Sequence, residues 1–581
     1  MAIASSVTIE IAGNRVPDFL HLSINQRMYQ PHEFMLVCRR DAFERPGDSP
    51  LSTSINKIGS VITFSIRGIN SGVNTSDFFF KGIITGISSS ESMSQQEIII
   101  KGHSPDILLN GYPTCRSFDN KTLKQIAELV MQPYPSDQIS LSGDPDTNTQ
   151  FPYIVQYKES DYEFLCRLAR RFGQWFFHDG RNLVFGSFHR TTVTGNLGIN
   201  LVDFHISANL APLNFEFLNN DWLNSGYLNG PSSGRDITGN LDSIGRHVHD
   251  QSLSRFPLSG EYYYPHLFFN IDGTLINGQP HPVLQEKQSI GSRFVNVRGT
   301  GSEPLQLGKV FRIKARNNNQ DIDVGDFLIT GLNHSIDNSM DYRNTFNGIP
   351  NSSPLSPDAN VRAATVCETQ SAYVTDNNDP QKFGRVKVQF IWQRQGQSSP
   401  WIRMASPHAG SGSGFYILPE INHEVLVGFE GGDAQNPYII GPVFNGIAKP
   451  DEHWVTGSND FKILRTKSGH TIEFNDTSGG ETLNIYNGSG SSADSNNNKI
   501  TLALNPDKIT IESQGDIEIK ADKLELHATS GISIKSDSGD VKIEGTGISL
   551  KADGQFKAEG ATAEVDGSAQ VKIQGGIVQI N

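Results

Sequence analysis

The sequence predicts a mainly β protein with minor α content, ending in a rod of short repeated strands. Three observations predict it. Apolar and polar residues alternate over short stretches bounded by Gly, Asn and Ser, and the 581 residues include 56 glycines. Only two stretches stand out with a helical period. From about Gly515 the rhythm changes to apolar pairs at Ile517/Ile519, Leu524/Leu526, Ile532/Ile534, Val541/Ile543, Ile548/Leu550, Phe556/Ala558 and Val571/Ile573. The first members of the first six pairs step by 7, 8, 9, 7 and 8 residues. Spacing of two within a pair is the strand period, so both side chains share a face. A unit this small cannot bury that face alone and must stack on neighbours.

Taken in order, the chain opens on Val7-Thr8-Ile9-Glu10-Ile11, which alternates as a strand, without a signal-peptide pattern. Val61 to Ile66 and Glu97 to Ile100 are strand-like by alternation or β-branching. The first helix is expected after Asp119 as N-cap, with Leu123, Ile126, Ala127 and Val130 on one face. The second follows a capping box, Ser160 with Glu163, and carries Phe164, Leu165, Leu168, Ala169 and Phe172 before a stop at Gly173. Phe176 and Leu183 to Phe185 return to strand character. A polar, proline-bearing stretch at 351–358 is expected to be a linker and the first domain boundary. A compact strand-and-turn domain then spans 361–448. Early rod strands are expected at Thr471–Phe474, Leu483–Tyr486, Thr501–Leu504 and Ile509–Ile511, interrupted by a Gly/Ser/Asn-rich loop at 487–498.

Composition narrows the function. Net charge is −14, and no basic run is present. That argues against nucleic acid, whose phosphates need clustered Lys and Arg, and against an anionic membrane surface; no stable membrane insertion is expected. No apolar run approaches the 18 residues of a spanning helix. Cys38, Cys115, Cys166 and Cys367 are far apart, so neither a disulfide framework nor a zinc knuckle is expected. His247-Val248-His249-Asp250 lacks further ligands at metal spacing. The glycine-rich Gly410 to Gly414 is not followed by G-K-[ST] or a helix, so it is expected to be a turn, not a phosphate cradle. No nucleophile–base pair emerges. The expectation is no enzyme, no cofactor and no metal.

The middle domain carries the sharpest pattern. Asp379-Pro380-Gln381-Lys382-Phe383-Gly384-Arg385 leads into Val386-Lys387-Val388-Gln389-Phe390, followed by Trp401-Ile402-Arg403-Met404, Glu424-Val425-Leu426-Val427-Gly428-Phe429, Gly431-Gly432-Asp433, Asn436-Pro437 and Gly441-Pro442-Val443-Phe444-Asn445-Gly446. Alternating strands with Gly and Pro at the corners predict a small closed barrel. In order and spacing these strings resemble the VgrG-type central spike proteins of contractile injection systems, relatives of the hub and spike of contractile phage tails. Ser468 to Asp476 resembles the start of that family's triple-stranded β-helix, and Val155 to Leu168 resembles its hub.

The resemblance implies an N-terminal hub of two β-barrels at 1–355 that docks a hexameric inner tube and contacts baseplate proteins. It implies an oligosaccharide/oligonucleotide-binding-type barrel at 361–448 and an intertwined triple-stranded β-helix shaft at 461–581. In that arrangement the chain is a homotrimer with Ile517, Ile519, Leu524, Leu526, Ile532, Ile534, Val541, Ile543, Ile548, Leu550, Phe556, Val571 and Ile573 inside. Read from the residues alone, a single-chain β-helix stays open. Glu518, Lys520, Lys523, Glu525, Lys535, Lys542, Glu544, Lys551 and Lys557 face out. The resemblance further implies that a PAAR-type tip protein seats on a platform made by Ile577, Val578, Gln579, Ile580 and Asn581, and that effector cargo travels with the spike. The expected setting is bacterial cytoplasm before contraction and the target cell after it. Alternatives are a prophage baseplate hub and a β-helical glycan-degrading enzyme.

Overall fold

The computed structural model describes residues 4–69, 77–92, 96–145, 150–265, 282–317, 320–488 and 497–580. It divides into two compact units, Met1–Pro450 and Asp451–Asn581.

A thirteen-stranded sheet dominates the first unit. Its longer strands are β1 (Ala4–Ile11), β2 (His21–Arg27), β3 (Glu33–Arg39), β4 (Val61–Ile69), β5 (Asp77–Glu91), β6 (Gln96–His103), β7 (Thr192–Asn196), β8 (Leu201–Ala208), β9 (Val295–Gly301), β10 (Val310–Asn317), β11 (Gln320–Asp337) and β12 (Tyr342–Pro350). They fall into two sets of six with the same neighbours. One runs β2-β3-β6-β5-β4-β1; the other runs β8-β9-β12-β11-β10-β7. The sets differ at their last strand, since β1 is antiparallel to β4 whereas β7 is parallel to β10.

The match extends to single residues. β5 carries Ile84-Thr85-Gly86-Ile87 and β11 carries Ile329-Thr330-Gly331-Leu332. Each ladder to the next strand shifts register between the Ile and the Gly, a bulge that bends a long strand. Ile84 faces Gly102 and Ile329 faces Gly348. A Cβ at Gly102 would collide with the Ile83 carbonyl and the Phe34 ring; at Gly348 it would meet the Leu328 carbonyl and Val297. Gly59 and Gly308 donate their N–H groups to the carbonyls of Ile84 and Ile329 at 2.8 and 3.0 Å.

The first set curls over a core in which Ile9 and Ile11 meet Leu22, Ile24, Phe34, Phe64 and Phe80. The second packs Val297, Phe311, Phe327 and Phe346 against helices α1 (Leu123–Met131) and α2 (Asp161–Arg171). α2 follows the sequence reading, with the Ser160–Glu163 box formed at both ends and Gly173 at φ +64° beyond its cap. α1 corrects it. Its N-cap is Thr122, boxed with Gln125, while Asp119 lies in the strand Thr114–Lys121, opposite Tyr153. Three residues too far upstream, Asp119 cannot reach the orphan N–H groups of the first turn. Two further helices, α3 (Ser243–Arg255) and α4 (Pro282–Gly291), were not legible. The 351–358 stretch is a packed connector, not a free linker, because Ser353, Leu355 and Ser356 are buried.

Next come β13 (Gln370–Asp376), β14 (Lys387–Phe390), β15 (Glu424–Phe429) and β16 (Pro437–Pro442), in sheet order β14-β13-β15-β16. Residues 402–404 close the ring, since Ile402 bridges Val386 and Met404 bridges Ile439. Ala372, Val374, Val388, Phe390, Val425 and Val427 fill it. The glycine-rich run is a hairpin turn, with Ala409–Gly410 paired to Ser413–Gly414 and Gly412 at φ +67°.

The second unit begins with a five-stranded antiparallel sheet: β17 (Phe461–Arg465), β18 (Thr471–Asn475), β19 (Thr482–Tyr486), β20 (Lys499–Leu504) and β21 (Asp507–Glu512). From Ser513 to Ile580 the chain forms no strand ladder with itself.

Candidate functional site

Two features of this architecture have the character of a working part: the joint between hub and barrel, and the unmatched apolar surface of the second unit.

The barrel's D-P-x-x-x-G-R string is a self-closing turn. Asp379 accepts the backbone N–H groups of Gln381, Phe383 and Arg385 at 3.0, 2.9 and 3.3 Å. Its carboxylate also takes Arg385 Nε at 3.0 Å and Nη2 at 2.8 Å. The Arg385 guanidinium and these N–H groups hold the Asp379 carboxyl well below its ordinary range. Lys382 at φ +61° and Gly384 at φ +70° make the tight path possible.

The G-G-D…N-P string is the barrel's plug into the hub. Asp433 Oδ2 lies 3.3 Å from Arg171 Nη2 of α2, with the side chains 0% and 9% exposed. Asn436 Nδ2 donates to the Pro265 carbonyl at 2.7 Å. Gly431 adopts φ +61°, and a Cβ there would strike Pro265. Around this plug, Thr365 donates to the Tyr157 carbonyl at 3.0 Å, Gln393 donates to Ser117 at 3.0 Å, and Lys158 pairs with Glu368 at 2.5 Å. Lys158 and the Tyr157 hydroxyl hold the Glu368 carboxyl down to about 2. Tyr153, Val155, Tyr157, Cys367 and Ala434 supply an apolar patch. A buried ion pair with apolar packing on its flank resists shear, because separating it strands a charge without solvent.

The sheet β17–β21 has its faces reversed relative to an ordinary single-chain sheet. One face is polar and buried. Glu473 is 0% exposed and accepts from Tyr486 Oη at 2.9 Å and Asn484 Nδ2 at 3.2 Å, while Thr501 donates to Asn484 Oδ1 at 2.9 Å. The other face presents a cross-strand row, Leu464, Ile472, Ile485, Ile500 and Ile511, each opposite the next. These five side chains are 37–61% exposed.

The repeat continues this surface. All thirteen expected shaft-core residues are solvent-exposed in the single chain. Among the six pairs of large side chains, the first member is 48–59% exposed and the second 64–71%. That recurrence gives every unit the same local geometry. Opposite them, Lys520 pairs with Glu518, Lys523 with Glu525, Lys535 with Asp537, Lys551 with Asp553 and Lys557 with Glu559. Each pair is separated by two residues, so charges and apolar groups occupy alternate faces. Of the expected platform, Ile577 and Ile580 are 86% and 88% exposed and Val578 is half-exposed; Gln579 is exposed. Asn581 lies outside the described residues, as do residues 489–496 of the expected 487–498 loop.

A further group of titratable side chains with shifted properties lies in the hub interior. His32, His178 and His334 are buried, and burial keeps their imidazoles neutral well below the ordinary range. Gln26 links His32 Nδ1 to His334 Nε2, with both contacts at 3.1 Å. Burial pushes the Asp106 carboxyl up to about 7. All four sit at 0–1% exposure, so a substrate cannot reach them. Among the described residues, no three His, Cys, Asp or Glu side chains are placed to hold a metal. His249 instead contacts neighbouring Asp250 on α3. No helix of the described residues is long and apolar enough to cross a membrane.

Comparison with known proteins matches these parts separately. Residues 27–192 match the phage tail baseplate hub family, and residues 370–444 match the type VI secretion system/phage-baseplate injector OB domain. These two domain matches, taken with the relatives that follow, support a likeness to VgrG-type spike proteins. The type VI secretion system spike protein VgrG1c of Pseudomonas aeruginosa is 24% identical over 429 residues, covering 65% of this chain and 55% of that protein. VgrG4b of the same organism is 32% identical over 159 residues, covering 25% and 20%. The chain thus spans about half of one relative's length and a fifth of the other's. The half-lidded Francisella PdpA–VgrG complex shares its fold at a TM-score of 0.54 and 12% identity, over 87% of this chain and 88% of that one.

The joint was missed as a site by sequence reasoning, although its residues were quoted as motifs. G-G-D and N-P look like turn residues, and only the three-dimensional proximity of α2 turns Asp433 into a buried partner.

Proposed function

We propose that this chain is the homotrimeric spike at the tip of the inner tube of a contractile injection system. Residues 1–355 dock the hexameric tube and its baseplate. The barrel at 361–448 passes load onward, and three copies of residues 461–581 wind into the piercing shaft. One observation carries the reading. The second unit exposes a continuous apolar row across five strands and then evenly spaced apolar pairs, and none of the described residues of its own chain covers them. Each buried Ile, Leu or Val is worth about 1.5–3 kcal/mol, so winding three chains gathers a large stabilisation that one chain forgoes. A single-chain β-helix would pair successive turns with each other, and residues 513–580 do not.

The protein works mechanically and not as an enzyme. His32, His178, His334 and Asp106 are buried inside the hub, and the Asp379–Arg385 and Asp433–Arg171 pairs hold a turn and a joint. The exposed Ile577 and Ile580 suit a seat for a PAAR-type tip protein, with effector cargo delivered behind it. Light scattering on the full chain tests the reading. The expected mass is three times 63.9 kDa, and a folded monomer at micromolar concentration would refute it. Negative-stain images should show a head with one shaft.

A further inference from the structure

Asp119 caps no helix, and the fold gives it no other task. It lies in the strand Thr114–Lys121, which pairs antiparallel with Phe151–Glu159. Strand alternation divides that ribbon into two sides. Phe118 packs into the hub core. Cys115 and Ser117 face the barrel instead: Cys115 packs on the apolar patch of the joint, and Ser117 accepts from Gln393 at 3.0 Å. Asp119 continues that side, directly opposite Tyr153.

A cleft of about 380 Å³ opens there between hub and barrel. Asp119 and Pro152 border it from the hub, and Lys387, Pro400 and Trp401 border it from the barrel. Small-molecule sites begin at about 300 Å³. Arg385 also reaches the cleft, but its guanidinium is spent on Asp379 and Gln381. Three other polar groups are unanswered among the described residues. The half-buried Asp119 carboxylate makes no hydrogen bond or ion pair. Lys387 holds its ammonium 5.1 Å over the Trp401 ring and makes no ion pair. Tyr153, 4% exposed and on the Asp119 side of the ribbon, leaves its hydroxyl without a hydrogen-bond partner.

Asp119 and Lys387 feel each other's charge without meeting. A gap bordered by an unpaired carboxylate and an unpaired ammonium is complementary to a ligand that carries both opposite charges. Sugar hydroxyls could fill the same space, but they would set only dipoles against two unit charges, and charge-assisted hydrogen bonds are about twice as strong as neutral ones. The proline and indole walls suit an aliphatic side chain. We infer that this cleft binds a free α-amino acid with an aliphatic side chain. The ligand's ammonium donates to the Asp119 carboxylate, and its carboxylate accepts from the Lys387 ammonium, with the Tyr153 hydroxyl as a further donor on the same side. The indole already holds the Lys387 ammonium in place, so little rotamer freedom is lost on binding. All the groups come from one chain, so the site does not depend on the trimer.

The test is ligand-observed saturation-transfer NMR on the full chain, with L-leucine, N-acetyl-L-leucine, L-leucinamide and methyl glucoside as probes. Leucine should bind at millimolar concentration. Blocking either its amine or its carboxylate should weaken binding roughly tenfold, the worth of one charge-assisted contact. Asp119→Asn should erase leucine's advantage over N-acetyl-leucine and keep its advantage over leucinamide. Lys387→Gln should do the reverse. Both variants should keep the circular dichroism of the parent. Absence of leucine binding, equal binding of the blocked forms, tighter binding of the glucoside, or preferences that neither substitution moves overturns the site. A fold lost on either substitution would make the residue structural and overturns it equally.

Discussion

Arg385 grips Asp379 with two parallel hydrogen bonds inside the barrel's first turn, and neither side chain exceeds 3% exposure. The same carboxylate takes three backbone N–H groups, so one side chain organises seven residues of chain. Removing it strands a buried guanidinium. Asp379→Ala should lower the barrel's stability by about 3–5 kcal/mol, the usual cost of breaking a buried pair from one side. Denaturant unfolding followed by tryptophan fluorescence measures it. A loss under about 1 kcal/mol would mean that the turn does not depend on the pair.

The hub–barrel plug makes a parallel prediction at a joint. Asp433→Ala leaves Arg171 buried without its carboxylate, again at a cost of about 3–5 kcal/mol. The loss falls between two folded bodies, so limited proteolysis should cut near residues 351–368 before either core unfolds. Cleavage unchanged from the parent would place the strength of the joint elsewhere, at Lys158–Glu368 and the Tyr157 cluster.

In the shaft, Ile532→Asp introduces three carboxylates facing one another if the pairs point inward. Light scattering should show loss of the trimer, and the melting profile should lose its highest transition. An unchanged profile would put Ile532 on the outside.

Acid should weaken the hub before it touches the ion pairs. His32, His178 and His334 are neutral when folded and take up protons below about 6.5 when unfolded. Their folded values are depressed, so their stabilisation is complete above 6.5 and is lost as pH falls. Asp106 acts oppositely, since its raised folded value adds stability as pH falls from about 7 towards 4. Three protons against one leaves a net uptake of two on unfolding, or about 3 kcal/mol per pH unit below 6.5. Moving from pH 6.5 to 5 should cost about 4 kcal/mol. His334→Gln should flatten that slope by about half, as read from denaturant midpoints across pH. Glu368, held down to about 2, adds nothing in this window.

Much of this was legible before any coordinates. The Ser160–Glu163 box with its helix, the early strands of the second unit and the closed barrel all follow from local pattern, because in each the apolar side chains share one face. The unread parts break that rule. α4 buries Gln285, Lys287 and Ser289, which spend their polar atoms on the carbonyls of Arg171, Ser232 and Ala359. Such a helix has no apolar stripe to read. The Asp119 cap failed because strand and helix abut, and Thr122 offers an equivalent accepting oxygen, a hydroxyl in place of a carboxylate, three residues later. The duplication in the hub was hidden because it survives in a few residues, Ile-Thr-Gly at 84–86 and 329–331 and the glycines at 59 and 308, separated by sequence that shares only a sheet position.

The missing ladder between Ser513 and Ile580 has a consequence in time. On the trimeric reading, a lone chain has nothing to nucleate on, so shaft formation waits on encounter and slows on dilution. Once wound, the dependence reverses. A strand can leave only by unthreading past two others, a route with no low-energy intermediate, so the finished shaft persists through its barrier to unravelling more than through its equilibrium stability.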